Sequence, residues 1–230
     1  YNYFHTSLKT SAAIDLANTS DNVGFISTEK ATAFNAALAA AQTQLANETD
    51  TDEAYTALVG ANEALVVNLP VEGKYYVIRS AATNGDTDYC RNALVHANTD
   101  THKLTWTKGK SATDATAIWS FTPQGDGTFI LKNLHTQTGP GSLPFQSGTA
   151  ALQESSLPVT ISSFDFIAGS LTLSIEGKNM HAQQTNSCIV QWPTSAGNAS
   201  LWKLEELTES DLSAVGYSLS MSKWENASFF

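Results

Sequence analysis

Glu205 and Glu206 are adjacent carboxylates, the residue type that hydrolysis of a glycosidic bond uses in pairs. Consecutive side chains on a strand point to opposite faces. This pair therefore cannot flank one bond at the separation of roughly 5–9.5 Å that hydrolysis requires, and it reads as a solvated strand end. Asn84, Asp86 and Asp88 alternate like the opening of a calcium loop, but Tyr89 and Val95 stand where its turn Gly and closing Glu belong. That stretch reads as a turn. The five histidines, His5, His96, His102, His135 and His181, lack the H-E-x-x-H spacing of a zinc site. Neither a Gly-x-Ser-x-Gly elbow nor a Gly-x-x-x-x-Gly-Lys phosphate loop occurs. The expectation is a chain that is not an enzyme and needs no metal or cofactor.

Charge removes further classes. Twelve Lys and Arg stand against 22 Asp and Glu, a formal charge of −10, and no basic cluster offers the stripe that neutralises phosphates. Nucleic acid is not an expected partner. No apolar run reaches the roughly 18 residues needed to span a bilayer, so membrane insertion is not expected either. With 42% hydrophobic and 15% charged residues, the 230-residue chain has material for a buried core and length for one or two domains. Two cysteines, Cys90 and Cys188, are too few for a thiolate cage. They read as small buried hydrophobes, with a disulfide between them left open. Sequons at Asn18, Asn47, Asn198 and Asn226 read as Ser/Thr/Asn-rich background. The chain opens at Tyr1 with no apolar leader, and the expectation is a processed piece of a longer precursor.

Residues 1–70 have helical periodicity. Phe34, Leu38, Ala41 and Leu45 recur at helical spacing between Ser27 and Asn47. A second helix is predicted from Asp50, where Asp50 and Glu53 have capping-box spacing, through Tyr55, Leu58, Leu65, Val66 and Leu69 to Pro70. Phe4, Leu8, Ala12 and Leu16 predict another, ending near Asn18. Three helices on short loops imply an antiparallel three-helix bundle. Ile26 to Leu69, about a fifth of the chain, resembles the FIVAR helical modules of secreted bacterial proteins, which implies a spacer or packing platform.

After Pro70 short β-branched and aromatic runs, punctuated by Gly, Asn, Asp and Ser, replace the helical pattern. A cassette of a Gly, an apolar strand, a loop, two short strands and an aromatic-x-apolar triplet recurs three times over residues 71–207. The copies open at Gly73, Gly127 and Gly169 and close at Trp119-Ser120-Phe121, Phe164-Asp165-Phe166 and Trp202-Lys203-Leu204. Three abutting four-stranded copies resemble the ricin-type β-trefoil. That resemblance implies Trp119, Phe164 and Trp202 packed into a barrel core. In residues 208–230, Val215, Tyr217, Leu219 and Met221 alternate like a half-buried strand, read as an extra β element or the start of a further domain.

The ricin-type resemblance also implies where a sugar would lie: on an aromatic of a repeat's third strand, held by polar groups before the closing Trp. Cys188-Ile189-Val190-Gln191-Trp192-Pro193 resembles the strand-plus-Trp-Pro element, which makes Trp192 the leading candidate, with Gln183, Gln191 and Asn198 as its polar partners. In the first copy Trp106 stands in the corresponding place, with Asn92 and Asp114 beside it. The second copy has Leu152-Gln153-Glu154 and no aromatic. Ala117, Ser162 and Ser200 replace the family's Gln, and no clear Asp matches its early sugar-binding Asp. An indole packs against a sugar's C–H face while paired amides offset the desolvation of its hydroxyls. The other role open to Trp106 and Trp192 is burial against the helical segment. The expected function is thus a non-catalytic carbohydrate-binding unit of a larger secreted or cell-surface protein that acts on glycans. Its expected partners are a glycan and further domains of the same polypeptide. The alternative is a protein-interaction or architectural module that binds no sugar.

Overall fold

The computed structural model describes residues 11–47, 49, 52–83, 85–141, 151–192 and 197–216. Thr28–Ala46 forms helix α1, and the Ser27 hydroxyl accepts from the Lys30 amide at 3.3 Å as its N-cap. The apolar stripe behaves as its spacing requires: Leu38, Ala41 and Leu45 are buried, with Phe34 and with Leu58 of α2 (Asp52–Glu63) packed on them. The helix predicted to run on to Pro70 stops at Glu63. Val66 and Leu69 beyond it are exposed. Competing backbone bonds explain the early stop: Asn68 donates to the Phe25 carbonyl at 2.8 Å and accepts from the Gly24 amide at 2.9 Å, an extended pairing incompatible with a helix.

The helix predicted through Phe4, Leu8, Ala12 and Leu16 falls partly on residues 1–10, outside the described residues. Residues 11–15 are not helical, and Leu16–Asn18 is a single 3-10 turn capped by Asp15. Here a side chain of α1 captures the backbone. Asn35 accepts from the Ile14 amide and donates to its carbonyl, both at 2.8 Å, which occupies the groups a helix would use on itself. The described N-terminal segment is a two-helix hairpin with extended flanks, not a three-helix bundle.

Six strands then close a ring. They are β1 (Tyr75–Ser80), β4 (Ile118–Pro123), β5 (Thr128–Asn133), β8 (Pro158–Asp165), β9 (Ser170–Ile175) and β12 (Trp202–Glu206). Each pairs antiparallel with the next, and β12 returns to β1. A closed ring exposes no sheet edge. Hairpins hang from it: β2 (Leu94–Asn98) with β3 (Lys103–Thr107), and β10 (Lys178–Gln183) with β11 (Cys188–Trp192). A two-residue ladder joins β6 (Gly139–Pro140) to β7 (Leu152–Gln153). A six-stranded barrel carrying such hairpins is a β-trefoil.

Trp119 and Trp202 fill its centre with Tyr76, Phe121, Leu131 and Leu173, all wholly or almost wholly buried. Burial of rings this large is the main stabilising contribution the sequence offers. Each indole N–H is also satisfied, Trp119 by the Val95 carbonyl at 3.0 Å and Trp202 by the Met180 carbonyl at 3.1 Å. Phe164, expected beside them, is 55% exposed, and Val159 is the wholly buried residue of β8. Inward positions on β8 run in steps of two from Val159, and a register shift between Ser163 and Asp165 bends the strand end away, so Phe164 faces out.

Past the barrel, the predicted strand is instead helix α3 (Glu209–Ala214). The Thr208 and Asp211 side chains cap it reciprocally, and Leu212 packs with Leu207 on Val77, Leu94 and Ile118. Tyr217, Leu219 and Met221 lie outside the described residues. Cys90 and Cys188 are free thiols in buried places, as expected of small hydrophobes, and burial raises both pKa values.

The N-terminal segment docks on the barrel through Val23, which joins the main core, and through Phe25. Phe25 lies over Gly169 in the β8–β9 turn. Gly169 has φ +66°, and a Cβ there would meet the Phe25 ring at 2.0 Å. Gly169→Ala combines left-handed strain of about 1–2 kcal/mol with this clash. Chemical denaturation is expected to show a loss of at least that size, and Gly177→Ala, with φ +74° and open space around it, a smaller one.

Candidate functional site

The two hairpins are built alike. In each, the closing tryptophan takes the carbonyl of Val95 or Met180, and the next residue, His96 or His181, is turned to the outer side of its hairpin. The registers then show which residues correspond. Val95 faces Trp106 and Leu94 faces Thr107 in the first hairpin, while Met180 faces Gln191 and Asn179 faces Trp192 in the other. Trp106 therefore corresponds to Gln191, and Trp192 to Thr107. One residue of offset reverses the face.

That offset separates the two candidate indoles. Trp106 points inward, is 7% exposed, packs against Tyr89 with ring centroids 5.7 Å apart and donates to the Gln183 carbonyl at 2.9 Å. It is a core residue, buried within the barrel's own hairpins and not against the helical segment. Gln191 also points inward, is 3% exposed, and donates to the Ile175 carbonyl at 3.2 Å. The Gln183 amide oxygen accepts from the Cys188 thiol at 3.1 Å. These three residues are committed to the fold.

Trp192 is half-buried on the outer side, stacked on His181 with centroids 4.7 Å apart and planes 19° from parallel. The 3-10 turn Asn198–Ser200 covers the neighbouring strand, and the Ser200 hydroxyl lies 2.9 Å from His181 Nδ1. Burial lowers the His181 pKa, so the ring is neutral at pH 7 and has one donor and one acceptor nitrogen. Nδ1 is used by Ser200. Nε2 has no hydrogen-bond partner among the described residues, which leaves a polar atom next to an indole face. On the same side Asn179 accepts from Ser174 at 2.6 Å. Sequence reasoning passed over His181 and Ser200. The signal available was the paired triplets Val95-His96-Ala97 and Met180-His181-Ala182, one in each of two copies.

Asn198 and Asn92, expected at separate indoles, instead line one cleft of about 570 Å³ beside β1, β12 and the β8–β9 turn. Asn92 is exposed with φ +59°, and its carbonyl accepts from Arg79 at 3.3 Å. Asp114 caps the 3-10 turn Ala115–Ala117. Its carboxylate accepts from the Thr116 amide at 2.9 Å and hydroxyl at 2.5 Å, and pairs with Lys110 at 2.6 Å. Burial alone raises its pKa, but the Lys110 and Thr116 bonds outweigh that and hold it at about 2. Among the described residues no group of three or more His, Cys, Asp or Glu side chains is placed to hold a metal.

Neither a protein-family model nor a curated protein matches this chain. Several solved structures resemble it. A ricin B-like lectin of Macrolepiota procera in complex with lactose is 14% identical over 61% of this chain and 100% of its own, with a TM-score of 0.48. The BEL β-trefoil is 13% identical over 61% and 97%, with a TM-score of 0.49. A GlcNAcα1-4Gal-releasing endo-β-galactosidase of Clostridium perfringens is 16% identical over 59% of this chain, with a TM-score of 0.46. The match spans one third of that enzyme's length (33%). At these overlaps the likeness adds nothing to the barrel already read from the strand pairings.

The depressed pKa of Asp114 gives a signed expectation. Its contribution to stability is fully present above the unfolded carboxyl pKa near 4 and is lost as pH falls from there through about 2. Asp114→Asn is expected to lower the melting temperature at pH 7 and to lose less than the parent chain between pH 4 and pH 2, where Asp126 and Asp211 still titrate in both.

Proposed function

We propose that this chain is a non-catalytic carbohydrate-binding unit that uses the outer face of the β10–β11 hairpin. The observation that carries the reading is the Trp192–His181 stack: a partly buried indole beside an imidazole whose Nε2 is unpartnered among the described residues. The C–H face of a pyranose packs on the indole, and one hydroxyl pairs with Nε2. Stacking supplies burial and the imidazole offsets part of the desolvation of that hydroxyl. One such face gives weak binding, with Kd near 1 mM, about −4 kcal/mol. Weak single sites suit a unit that works as part of a larger glycan-acting protein, secreted or on the cell surface. There the helical segment before Pro70 acts as a spacer ahead of the barrel of residues 71–207, and residues 208–230 lead on from it.

Titration of tryptophan fluorescence against a panel of neutral mono- and oligosaccharides tests this. At least one sugar is expected to give a saturable change that Trp192→Ala weakens by tenfold or more. Because Trp192 is partly buried, the melting temperature of that variant is measured beside the titration, and loss of binding in a still-folded chain is expected. A panel with no response overturns the reading and leaves the barrel an architectural or protein-interacting module.

A further inference from the structure

The cleft that Asn92 and Asn198 share has a floor laid across four neighbouring strands. Arg79 of β1 stands directly opposite Lys203 of β12. The β12–β9 register, Trp202 opposite Leu171, puts Ser170 beside Lys203, and Ser170 in turn faces Asp165 of β8. Like charges directly opposite on a ladder are unfavourable, and this chain has only 12 basic residues to place. Two of the cations lining the cleft are neutralised. Glu205 takes Arg79 in a two-point clasp, its oxygens accepting from Nε at 2.7 Å and Nη2 at 2.8 Å. Arg91 is held by Asp88 and by the Thr83 carbonyl. Lys203 is half-buried and has neither an ion pair nor a hydrogen bond among the described residues.

An ammonium that lines a cleft and has no ion pair among the described residues is available to an incoming anion. The cleft's volume falls within the roughly 300–1,000 Å³ of small-ligand sites. Phe164 lines it as a phenyl ring left largely in solvent, while the Asn92 and Asn198 amides stand among polar lining groups able to meet hydroxyls. We propose that this cleft binds an anionic monosaccharide unit, with its carboxylate or sulfate on Lys203 and its ring face against Phe164. The anion site rests on Lys203 and the cleft alone, and the choice of a sugar to carry the charge rests on the carbohydrate-binding reading. The site is distinct from the Trp192 face.

The test is an NMR titration of the isotope-labelled full chain with methyl glucuronide, the methyl glycoside of N-acetylneuraminic acid and galactose 6-sulfate. Methyl glucoside and galactose serve as neutral counterparts and sodium sulfate as the bare anion. At least one charged sugar is expected to saturate with amide shifts at Ser80–Thr83, Asn92 and Ser170. Lys203→Gln and Phe164→Ala are each expected to weaken it about tenfold, and Trp192→Ala to leave it unchanged. Added salt is expected to weaken it further. The uronate, sialate and sulfate arms identify the anion held, and saturation by any of them supports the site. Charged sugars no tighter than neutral ones, or Lys203→Gln binding like the parent, overturns the proposal. Inorganic sulfate binding as tightly as the sugars overturns the sugar assignment, since Phe164 would then have no role. Loss of neutral-sugar binding in Trp192→Ala with charged-sugar binding intact shows two sites. Failure of neutral sugars alone counts against the Trp192 reading and not against this one.

Discussion

Two indole N–H bonds at the centre of the barrel organise the rest of the molecule. Trp119 and Trp202 have no access to water, so each needs an internal acceptor, and an unmet N–H there would cost about 1–3 kcal/mol. The acceptors are main-chain carbonyls of β2 and β10. Each bond ties a wall strand of the ring to the hairpin above it and fixes that hairpin's rotation. The Met180 side chain beside that carbonyl is buried, and strand alternation sends His181 to the opposite side, where Trp192 meets it. The outer-face pair on that hairpin thus follows from which side chains the core takes.

The same constraint separates what sequence could show from what it could not. The stripe Leu38, Ala41 and Leu45 was legible because helical burial depends on spacing along one segment. The barrel was legible from apolar runs between Gly125-Asp126-Gly127 and at Gly169, where positive φ angles of +82°, +86° and +66° confirm tight turns. What failed were decisions made by distant partners. Asn35 draws Ile14 out of a helix, Phe25 does the same for Asn68, and the capping pair Thr208 and Asp211 makes a helix of a segment whose alternation reads as strand.

Site residues suffered most, because a candidate's face depends on register to within one position. Trp106 and Trp192 look equivalent along the chain, yet their partners Val95 and Asn179 stand one step apart in the repeated hairpin. That step separates a core ring from a partly buried one on the outer side. Asn198 and Asn92, over a hundred residues apart in sequence, meet only because β12 lies next to β1. A fold that hosts many functions does not choose among them; these local placements do.

The helical hairpin is attached to the barrel at both of its ends. Ser20 to Phe25 and Asn68 to Val71 run side by side, cross-bonded through Gly24, Phe25 and Asn68, with the Asn68 side-chain amide also donating to the Ser20 carbonyl at 2.9 Å and the Tyr76 hydroxyl accepting from the Val71 amide at 2.9 Å. A segment hung from a single connector swings and absorbs tension as slack. Freeing the hairpin from the barrel therefore means breaking the Val23 and Phe25 packing together with these cross-bonds, so its two connectors come away together or not at all.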